Sequence, residues 1–343
     1  PRYTMSVRSA EVLDIKTNIN ENIGSRSDVL NMTKNEFFSG MAVIKNKELI
    51  FESYASDFNS SHPHLAMSVM KMTINLIIGD LVTKNLLDPQ KKVKHYIPEI
   101  GSGYAEATIQ QVLDMDLEND YSEDYNDMFA DVFLHEACWG WRLSTEKNPE
   151  TSQKNFLKNI TSKNGKIENN SSYANYKSAN TEVLAWIAEI VSGRSFMDWI
   201  INIVEVTGIE GNWYMSTDRE GFPAFSGGVS LNTRDMARFG QLYCRYGRGV
   251  NNLQISSKKY IEETIKRKSL PLDKRKNPPN YSNQTFTNGT WIGHGGYGGQ
   301  FLLVNPDTGI SVSFFSVLTN RTAMDYAYLG DMVKMMESIA LDY

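Results

Sequence analysis

An apolar stretch from Leu65 to Leu87 constrains the fold more than any other part of the chain. Its apolar residues form no narrow stripe at helical spacing, so we expect a helix that is buried on nearly all sides. The run stays shorter than a membrane span because Gly79 and Asp80 interrupt it. A helix of this kind belongs in the core of a large globular unit, and 343 residues suffice for one large domain or two smaller ones.

Ser68 and Lys71 stand at the head of this helix. Their spacing places both side chains on one helix face, within a turn of each other. Burial disfavours the charged form of a lysine, and a neutral lysine beside a hydroxyl is an arrangement that activates a nucleophile. Ser-x-x-Lys also occurs by chance, however. The alternative at this point is a solvated lysine beside a serine at a helix start.

The charge balance excludes several classes of function. The chain carries 35 Lys and Arg against 40 Asp and Glu, a formal net charge of −5, which provides no electrostatic footprint for nucleic acid or an anionic membrane. Cys138 and Cys244 have neither metal-ligand nor redox spacing, and we interpret them as buried thiols. Because the sequence begins at Pro1 rather than at methionine, we expect that an upstream segment has been removed. The compartment, whether cytoplasmic, periplasmic or secreted, therefore stays open.

Strand patterns occur near both ends of the chain. Residues 41–45 and 48–52 alternate or run apolar around Asn46-Lys47, which is typical of a β-hairpin. Near the C-terminus, a glycine-rich stretch at 291–300 opens a strand at 301–304, and a second strand follows at 310–318. The glycines allow another chain or a substrate to approach the backbone closely. They do not form a nucleotide-binding loop, because no Lys-Ser/Thr and no helix follows them.

A further buried helix is predicted over residues 182–191. Asn180 or Ser178 can cap its start, and Glu182 suits the positive end of its dipole. Tyr176 therefore lies on the loop just before this helix, where a side chain can be held rigidly over a site.

An acidic and aromatic segment extends from Asp120 to Asp127. Carboxylates at this density suit calcium binding or acid–base chemistry. The spacing matches no EF-hand loop, and we interpret the segment as a solvated loop.

Three motifs occur in order along the chain: Ser68-x-x-Lys71, Tyr176-x-Ser178, and His294-Gly295-Gly296 at the start of a strand. Their order and spacing resemble the serine β-lactamase and penicillin-binding-protein superfamily on its class C side. There the second motif is Tyr-x-Asn or Tyr-x-Ser, and the third is Lys-Thr-Gly or a His-x-Gly variant. The resemblance is closest to the 6-aminohexanoate-dimer (nylon-oligomer) hydrolase branch and related carboxylesterases. Other features shared with that branch are Pro98-Glu99-Ile100, Ser122-Glu-Asp-Tyr125, Asn180-Thr-Glu-Val-Leu184 and Arg234-Asp-Met-Ala-Arg-Phe-Gly240.

The resemblance implies a serine hydrolase that acts on a small-molecule amide or ester. Ser68 Oγ would attack the carbonyl and form an acyl-enzyme, and Lys71, neutral or sharing a proton with Tyr176, would accept the serine proton. Tyr176 would protonate the leaving group and help to activate water. The backbone N–H groups of Ser68 and Tyr297 would form the oxyanion hole. His294 would take the position of the third-motif lysine.

The resemblance also implies substrate-binding positions at Gly296, Ser178 and Tyr125. Tyr125 matches a tyrosine that closes over the substrate amide in the nylon-oligomer branch. Two features depart from the superfamily pattern. His294 replaces a lysine that would carry a fixed positive charge, so we expect hydrolysis of an amide or ester rather than strong β-lactamase activity. Met115-Asp-Leu-Glu118, with Asp116 and Glu118, replaces a Ser-Gly turn and alters one wall of the cleft.

The fold implied by this resemblance is α+β, of the β-lactamase/transpeptidase type. An antiparallel sheet would be flanked by the terminal helices, beside a mainly helical subdomain. We expect one domain over 1–343, with a sheet subdomain from 1–65 and 211–343 and a helical subdomain from 66–210. The cleft would lie between the two. No metal or organic cofactor is implied.

Two other functions stay open. The same acyl-enzyme supports acyl transfer to an amine or alcohol other than water. A non-catalytic binding protein could also keep the fold, although it would be expected to have lost Ser68, Lys71 or Tyr176. The expected partner is a small-molecule amide or ester, with no nucleic acid and no membrane, and a homodimer is an open alternative.

Overall fold

The computed structural model describes residues 2–146, 149–275 and 277–343. The predicted hairpin is present, and its two strands pair antiparallel. Asn46 lies in the turn with φ of 54°, a left-handed conformation that asparagine tolerates better than most residues.

The strands of the described residues form two sheets. They are β1 (Arg2–Ser6), β2 (Lys16–Thr17), β3 (Phe38–Lys45), β4 (Glu48–Tyr54), β5 (His64–Leu65), β6 (Trp213–Thr217), β7 (Val229–Leu231), β8 (Asn280–Ser282), β9 (Thr285–Thr287), β10 (Ile292–Gly296), β11 (Gln300–Asn305) and β12 (Ile310–Ser316). The smaller sheet has the order β1-β6-β7-β5, and the larger has the order β2-β4-β3-β12-β11-β10-β9-β8. Neighbouring strands are antiparallel except for β2 and β4.

The α-helices of the described residues range in length from 4 to 17 residues. They are α1 (Glu21–Gly24), α2 (Ser27–Thr33), α3 (Lys71–Thr83), α4 (Val93–Tyr96), α5 (Ser102–Ala105), α6 (Ile109–Leu113), α7 (Asp131–Glu136), α8 (Gln153–Lys158), α9 (Ser178–Ser192), α10 (Phe196–Thr207), α11 (Thr233–Cys244), α12 (Lys258–Lys266) and α13 (Tyr326–Asp342). Short 3₁₀ helices span Met67–Met70, Ala137–Trp139 and Val250–Asn252. In the described part of the chain, no helix is long and apolar enough to cross a bilayer.

The larger sheet joins the two ends of the chain. In its centre β3 pairs with β12, and Val43 lies opposite Val312. Helices α2 and α13 pack on the sheet, where Met332 and Met336 of α13 are fully buried. The predicted antiparallel sheet with flanking terminal helices is confirmed. Because one face of α13 is buried against the sheet, its apolar residues recur at helical spacing.

The helix of the apolar stretch is buried as predicted. Residues from Lys71 to Leu81 in α3 are all buried, and α3 packs against α9. Its first turn differs from the prediction, because Met67–Met70 is a 3₁₀ helix that leads into the α-helix at Lys71. Between Met67 and Thr207 the described residues contain helices and no strand. The division into two subdomains stays a prediction.

The predicted capping of α9 was wrong. The helix already includes Ser178, and its N-cap is Lys177, which makes no side-chain cap hydrogen bond. A carboxylate oxygen of Glu123, from the acidic segment, accepts the N–H of Ser178 instead. Asn180 is fully buried, and its Oδ1 accepts a hydrogen bond from Tyr104 at 2.9 Å. A long-range carboxylate thus replaces the local cap, because it supplies the same acceptor for a free helix N–H.

One strand prediction also needs correction, and two strands were not predicted. The His294-Gly295-Gly296 motif does not start the strand at 301–304 but ends a strand of its own, β10, which pairs with β11. The polar segment at 267–290 contains two short strands, β8 and β9, that were not predicted from the sequence. These strands are short and surrounded by Asn and Pro, so the turn residues hide the strand pattern.

Candidate active site

Ser68 lies in the 3₁₀ turn, and the residue before it is strained. Met67 has φ of 50°, a region that L-residues other than glycine adopt at a cost of about 1–2 kcal/mol. Close packing holds this turn. A Cβ on Gly296 would lie 2.6 Å from the carbonyl oxygen of Ala66, and one on Gly227 would lie 3.6 Å from Met67. The backbone is therefore held at the residue that precedes the candidate nucleophile.

Lys71 is fully buried at the start of α3. Its Nζ lies 3.0 Å from Oγ of Ser68, 3.0 Å from Oγ of Ser178 and 2.8 Å from the carbonyl oxygen of Ser226. Burial lowers the pKa of Lys71 to about 8, and the carboxylates of Glu123 and Glu182 oppose this shift. A substantial share of neutral amine is therefore available slightly above neutral pH.

Glu123 organises the side of the site opposite Ser68. Its Oε1 accepts hydrogen bonds from the Ser178 hydroxyl at 2.8 Å and from the Tyr125 hydroxyl at 2.6 Å. The same carboxylate accepts the N–H of Ser178. Since the hydroxyl hydrogen of Ser178 is donated to Glu123, the oxygen of that hydroxyl remains as an acceptor for Lys71.

Tyr176 lies on the loop before α9, as predicted. The centre of its ring is 5.1 Å from Nζ of Lys71. Burial and the negative charge of Glu123 raise the pKa of Tyr176 well above its usual value, and the nearby Ser68 hydroxyl opposes the shift. The phenol therefore keeps its proton at neutral pH.

The segment Met115-Asp-Leu-Glu118, which departs from the superfamily pattern, supports the Tyr176 loop. Met115 has φ of 55°, and its carbonyl oxygen accepts the N–H of Asn175 at 2.8 Å. Glu118 accepts a hydrogen bond from the Asn175 side chain at 3.0 Å and lies 3.9 Å from Nζ of Lys177. This segment thus holds the residues on both sides of Tyr176.

His294 is fully buried in β10 and is uncharged. Its ring stacks on Phe286 with centroids 4.1 Å apart, and its centroid is 6.0 Å from that of Tyr176. Nδ1 lies 2.6 Å from the carbonyl oxygen of Gly295, which can only accept, so Nδ1 carries the hydrogen. Burial and the charge of Lys71 hold the pKa of His294 well below its usual value. Nε2 has no hydrogen-bond partner among the described residues.

Tyr297 and Tyr125 face each other beyond β10. Their ring centroids are 5.1 Å apart, and both side chains are partly exposed. The Tyr125 ring also packs edge-on against Phe133, and the guanidinium of Arg142 lies 4.0 Å from the centre of the Phe133 ring. The two tyrosines thus form one aromatic wall, linked to the lysine through Glu123.

The predicted residues fall into two groups. Ser68, Lys71 and Ser178 meet directly, and the Tyr176 ring borders them. The other four lie around this group at the positions described above: His294, Gly296, Tyr297 and Tyr125.

Sequence reasoning missed four contributors to the site. They are the strained Met67, the carboxylates Glu123 and Glu182, and the carbonyl of Ser226. Glu123 and Glu182 each lie in a motif shared with the resembled branch, Ser122-Glu-Asp-Tyr125 and Asn180-Thr-Glu-Val-Leu184, and these motifs were the available signal. The acidic segment around Glu123 concealed its role.

Comparison with known proteins identifies the family. The family model described as Beta-lactamase matches residues 39–329. The chain is 34% identical over 202 residues to a 6-aminohexanoate-dimer hydrolase of Paenarthrobacter ureafaciens, a match that covers 58% of this chain and 50% of that protein. The chain thus spans about half the length of this curated relative.

Two solved structures share the fold. A putative 6-aminohexanoate-dimer hydrolase from Bacillus anthracis superposes with a TM-score of 0.82 at 22% identity, over 98% of this chain and 90% of that one. A D-stereospecific amidohydrolase from Streptomyces superposes with a TM-score of 0.60 at 16% identity, over 89% of this chain and 95% of that one. The match to the family model covers most of the chain. The chain belongs to the β-lactamase family.

Proposed function

We propose that this chain is a serine hydrolase that cleaves a small-molecule amide or ester through an acyl-enzyme on Ser68. Membership of the β-lactamase family and the relatives named as hydrolases support the general class. The observation that carries the proposal is the hydrogen-bond pattern around Nζ of Lys71.

That pattern directs the lysine lone pair at the serine. The carbonyl oxygen of Ser226 can only accept, and Ser178 also accepts because its hydrogen goes to Glu123. A neutral amine has two hydrogens, and these satisfy the two acceptors. The remaining lone pair then points at Ser68 Oγ, 3.0 Å away, where it can take the hydroxyl proton as the serine attacks a carbonyl.

Tyr176 completes the proton path. Its phenol stays protonated at neutral pH and lies beside both Ser68 and Lys71. It can give its proton to the departing amine or alkoxide and recover one from Lys71. In the second half of the reaction the same groups can take a proton from water, which attacks the acyl-enzyme carbonyl and releases Ser68.

The oxyanion would bind between the 3₁₀ turn and the end of β10. The proposed donors are the backbone N–H groups of Ser68 and Tyr297. Support comes from the close approach of Gly296 to Ala66 and Met67, which brings the end of β10 against the turn that carries the serine.

An uncharged His294 favours amides and esters over β-lactams. A lysine at this position would add a fixed positive charge beside a substrate carboxylate, whereas the buried imidazole adds none. We therefore expect substrates that do not depend on a carboxylate at this point.

Intact-mass measurement after brief incubation with a p-nitrophenyl acyl ester tests the proposal. We expect the wild-type protein to gain the mass of the acyl group and Ser68→Ala to gain none. Ser61→Ala, in the exposed loop before the site, is the matched control and should label like the wild type.

The other outcomes separate the alternatives. A folded wild-type protein that forms no adduct and releases no nitrophenol would contradict the proposal and favour a binding protein. An adduct that is consumed faster with an added amine or alcohol, with the acylated amine or alcohol as product, would identify an acyltransferase.

A further inference from the structure

Glu182 is a fully buried carboxylate next to the candidate site, and the mechanism above does not use it. It lies in the second turn of α9. Its Oε1 accepts the N–H of Ser226 at 2.7 Å, and its Oε2 accepts the N–H of Phe225 at 3.3 Å. A buried carboxylate is costly unless it is well hydrogen-bonded, so this one holds the turn that it contacts.

The turn that Glu182 holds also contacts the catalytic lysine. The N–H of Ser226 donates a hydrogen bond to Glu182. The carbonyl oxygen of Ser226 accepts one from Nζ of Lys71 at 2.8 Å. The next two N–H groups, of Gly227 and Gly228, both donate to the carbonyl of Ala224 at 3.2 and 2.7 Å. These hydrogen bonds hold the turn with the Ser226 carbonyl facing the lysine.

We propose that Glu182 is a positioning residue for Lys71. It fixes the Phe225–Ser226 backbone and places a carboxylate near the Lys71 amine. This inference rests on the proposed function, since it concerns how the base of that reaction is held. Glu182 touches neither substrate nor the reacting atoms.

The electrostatic part of the role has a definite sign. An ionised Glu182 stabilises the ammonium form of Lys71 and so raises the pKa of Lys71, as Glu123 does. Reciprocally, Lys71 opposes the rise in the pKa of Glu182, which burial brings to about 7. Replacing the carboxylate by a neutral amide should therefore lower the pKa of Lys71.

The other titratable groups near Lys71 come from separate elements. They are Glu123 before α7, His135 in α7, Tyr176 before α9 and His294 in β10. Burial lowers the pKa of both histidines and raises that of Tyr176, so these three stay uncharged at neutral pH. The two carboxylates are then the charges that oppose the ammonium.

The test compares Glu182→Gln with Glu189→Gln. Glu189 lies in the same helix, where it is partly exposed and pairs with Lys154 at 2.6 Å. For Glu182→Gln we expect kcat/KM with a p-nitrophenyl ester to fall by about 10-fold or more. We also expect the rising limb of its pH profile to move to lower pH by about 0.5 to 1 unit. Glu189→Gln should change neither.

A folded Glu182→Gln protein whose pH midpoint coincides with that of the wild type would overturn the inference. A merely structural role would lower the rate without moving this midpoint. If the wild type forms no acyl-enzyme, the proposed function fails. If the wild type acylates and the midpoint stays in place, only the positioning role fails.

A second measurement applies if Glu182→Gln does not fold. Carboxyl carbon NMR of protein labelled with ¹³C-glutamate would follow the buried glutamate that titrates near neutral pH, in wild type and Lys71→Met. We expect its midpoint to rise when the positive charge is removed. An unchanged midpoint would contradict the coupling between the two residues.

Discussion

Nζ of Lys71 donates a hydrogen bond to Oγ of Ser178 at 3.0 Å, across a sequence separation of 107 residues. Both side chains are buried, and the Ser178 hydroxyl passes its own hydrogen to Glu123. This contact joins the first motif to the second. It also sets the direction in which the lysine can accept a proton.

The rate of acylation should rise with pH through about 8. Lys71 accepts a proton only in its neutral form, and its pKa is lowered to about 8, so the ammonium form below that value is inactive and the neutral form above it is active. Initial rates of p-nitrophenyl ester hydrolysis, measured from about pH 6 to about pH 10, should show this limb. Lys71→Arg, which stays charged throughout, should be inactive. A rate that is flat across this range would contradict Lys71 as the base.

Glu123→Ala should lower kcat by about 10-fold to 100-fold. The change frees the Ser178 hydroxyl to donate to other groups and removes the anchor of Tyr125, so the lysine loses its fixed orientation. Asp124→Ala is the control, because Asp124 is exposed and its side chain accepts hydrogen bonds from Asn126 in the same turn. Steady-state kinetics of both variants decide the matter, and equal rates for them would exclude the role given to Glu123.

Gly296→Ala should reduce kcat by about 100-fold or more, while Gly295→Ala should leave it nearly unchanged. A Cβ on Gly296 would lie 2.6 Å from the backbone oxygen of Ala66, so β10 must move away from the serine turn. A Cβ on Gly295 would meet the ring of Phe301 at 3.3 Å, and a side chain can adjust. Kinetics of the two variants, with circular dichroism to verify folding, test this pair. Similar losses in both would show that the contact with Ala66 is not decisive.

Met115→Gly should lower the free energy of unfolding by about 2 kcal/mol, the middle of a range of about 0–4 kcal/mol. Glycine relieves the positive φ of Met115, a gain of about 1–2 kcal/mol, but loss of a fully buried methionine side chain costs about 2–5 kcal/mol. Asn164→Gly has a similar φ of 56° at an exposed position, so it should be neutral or slightly stabilising. Urea denaturation of both variants gives the comparison, and a stabilised Met115→Gly would show that backbone strain dominates.

Local features of the site were predictable from the sequence. Ser68 and Lys71 are three residues apart on a continuous helical path, and the covalent geometry of that path brings their side chains together in any context. The same holds for the hairpin at Asn46 and for the burial of α3, because strand alternation and apolar spacing report on a single element. The order of the three motifs along the chain then carried the resemblance to a known superfamily.

Tertiary structure alone decided how the lysine is held. Glu123 caps α9 and orients Ser178, and Glu182 fixes the turn whose carbonyl reaches Lys71. Each carboxylate lies in a motif shared with the resembled branch, but its contacts could not be predicted, because spacing along the chain carries no distance between separate elements. Only the packing of α3, α9 and the 224–228 turn around one buried amine brings these groups within hydrogen-bonding range. Burial there lowers the pKa of Lys71 to about 8.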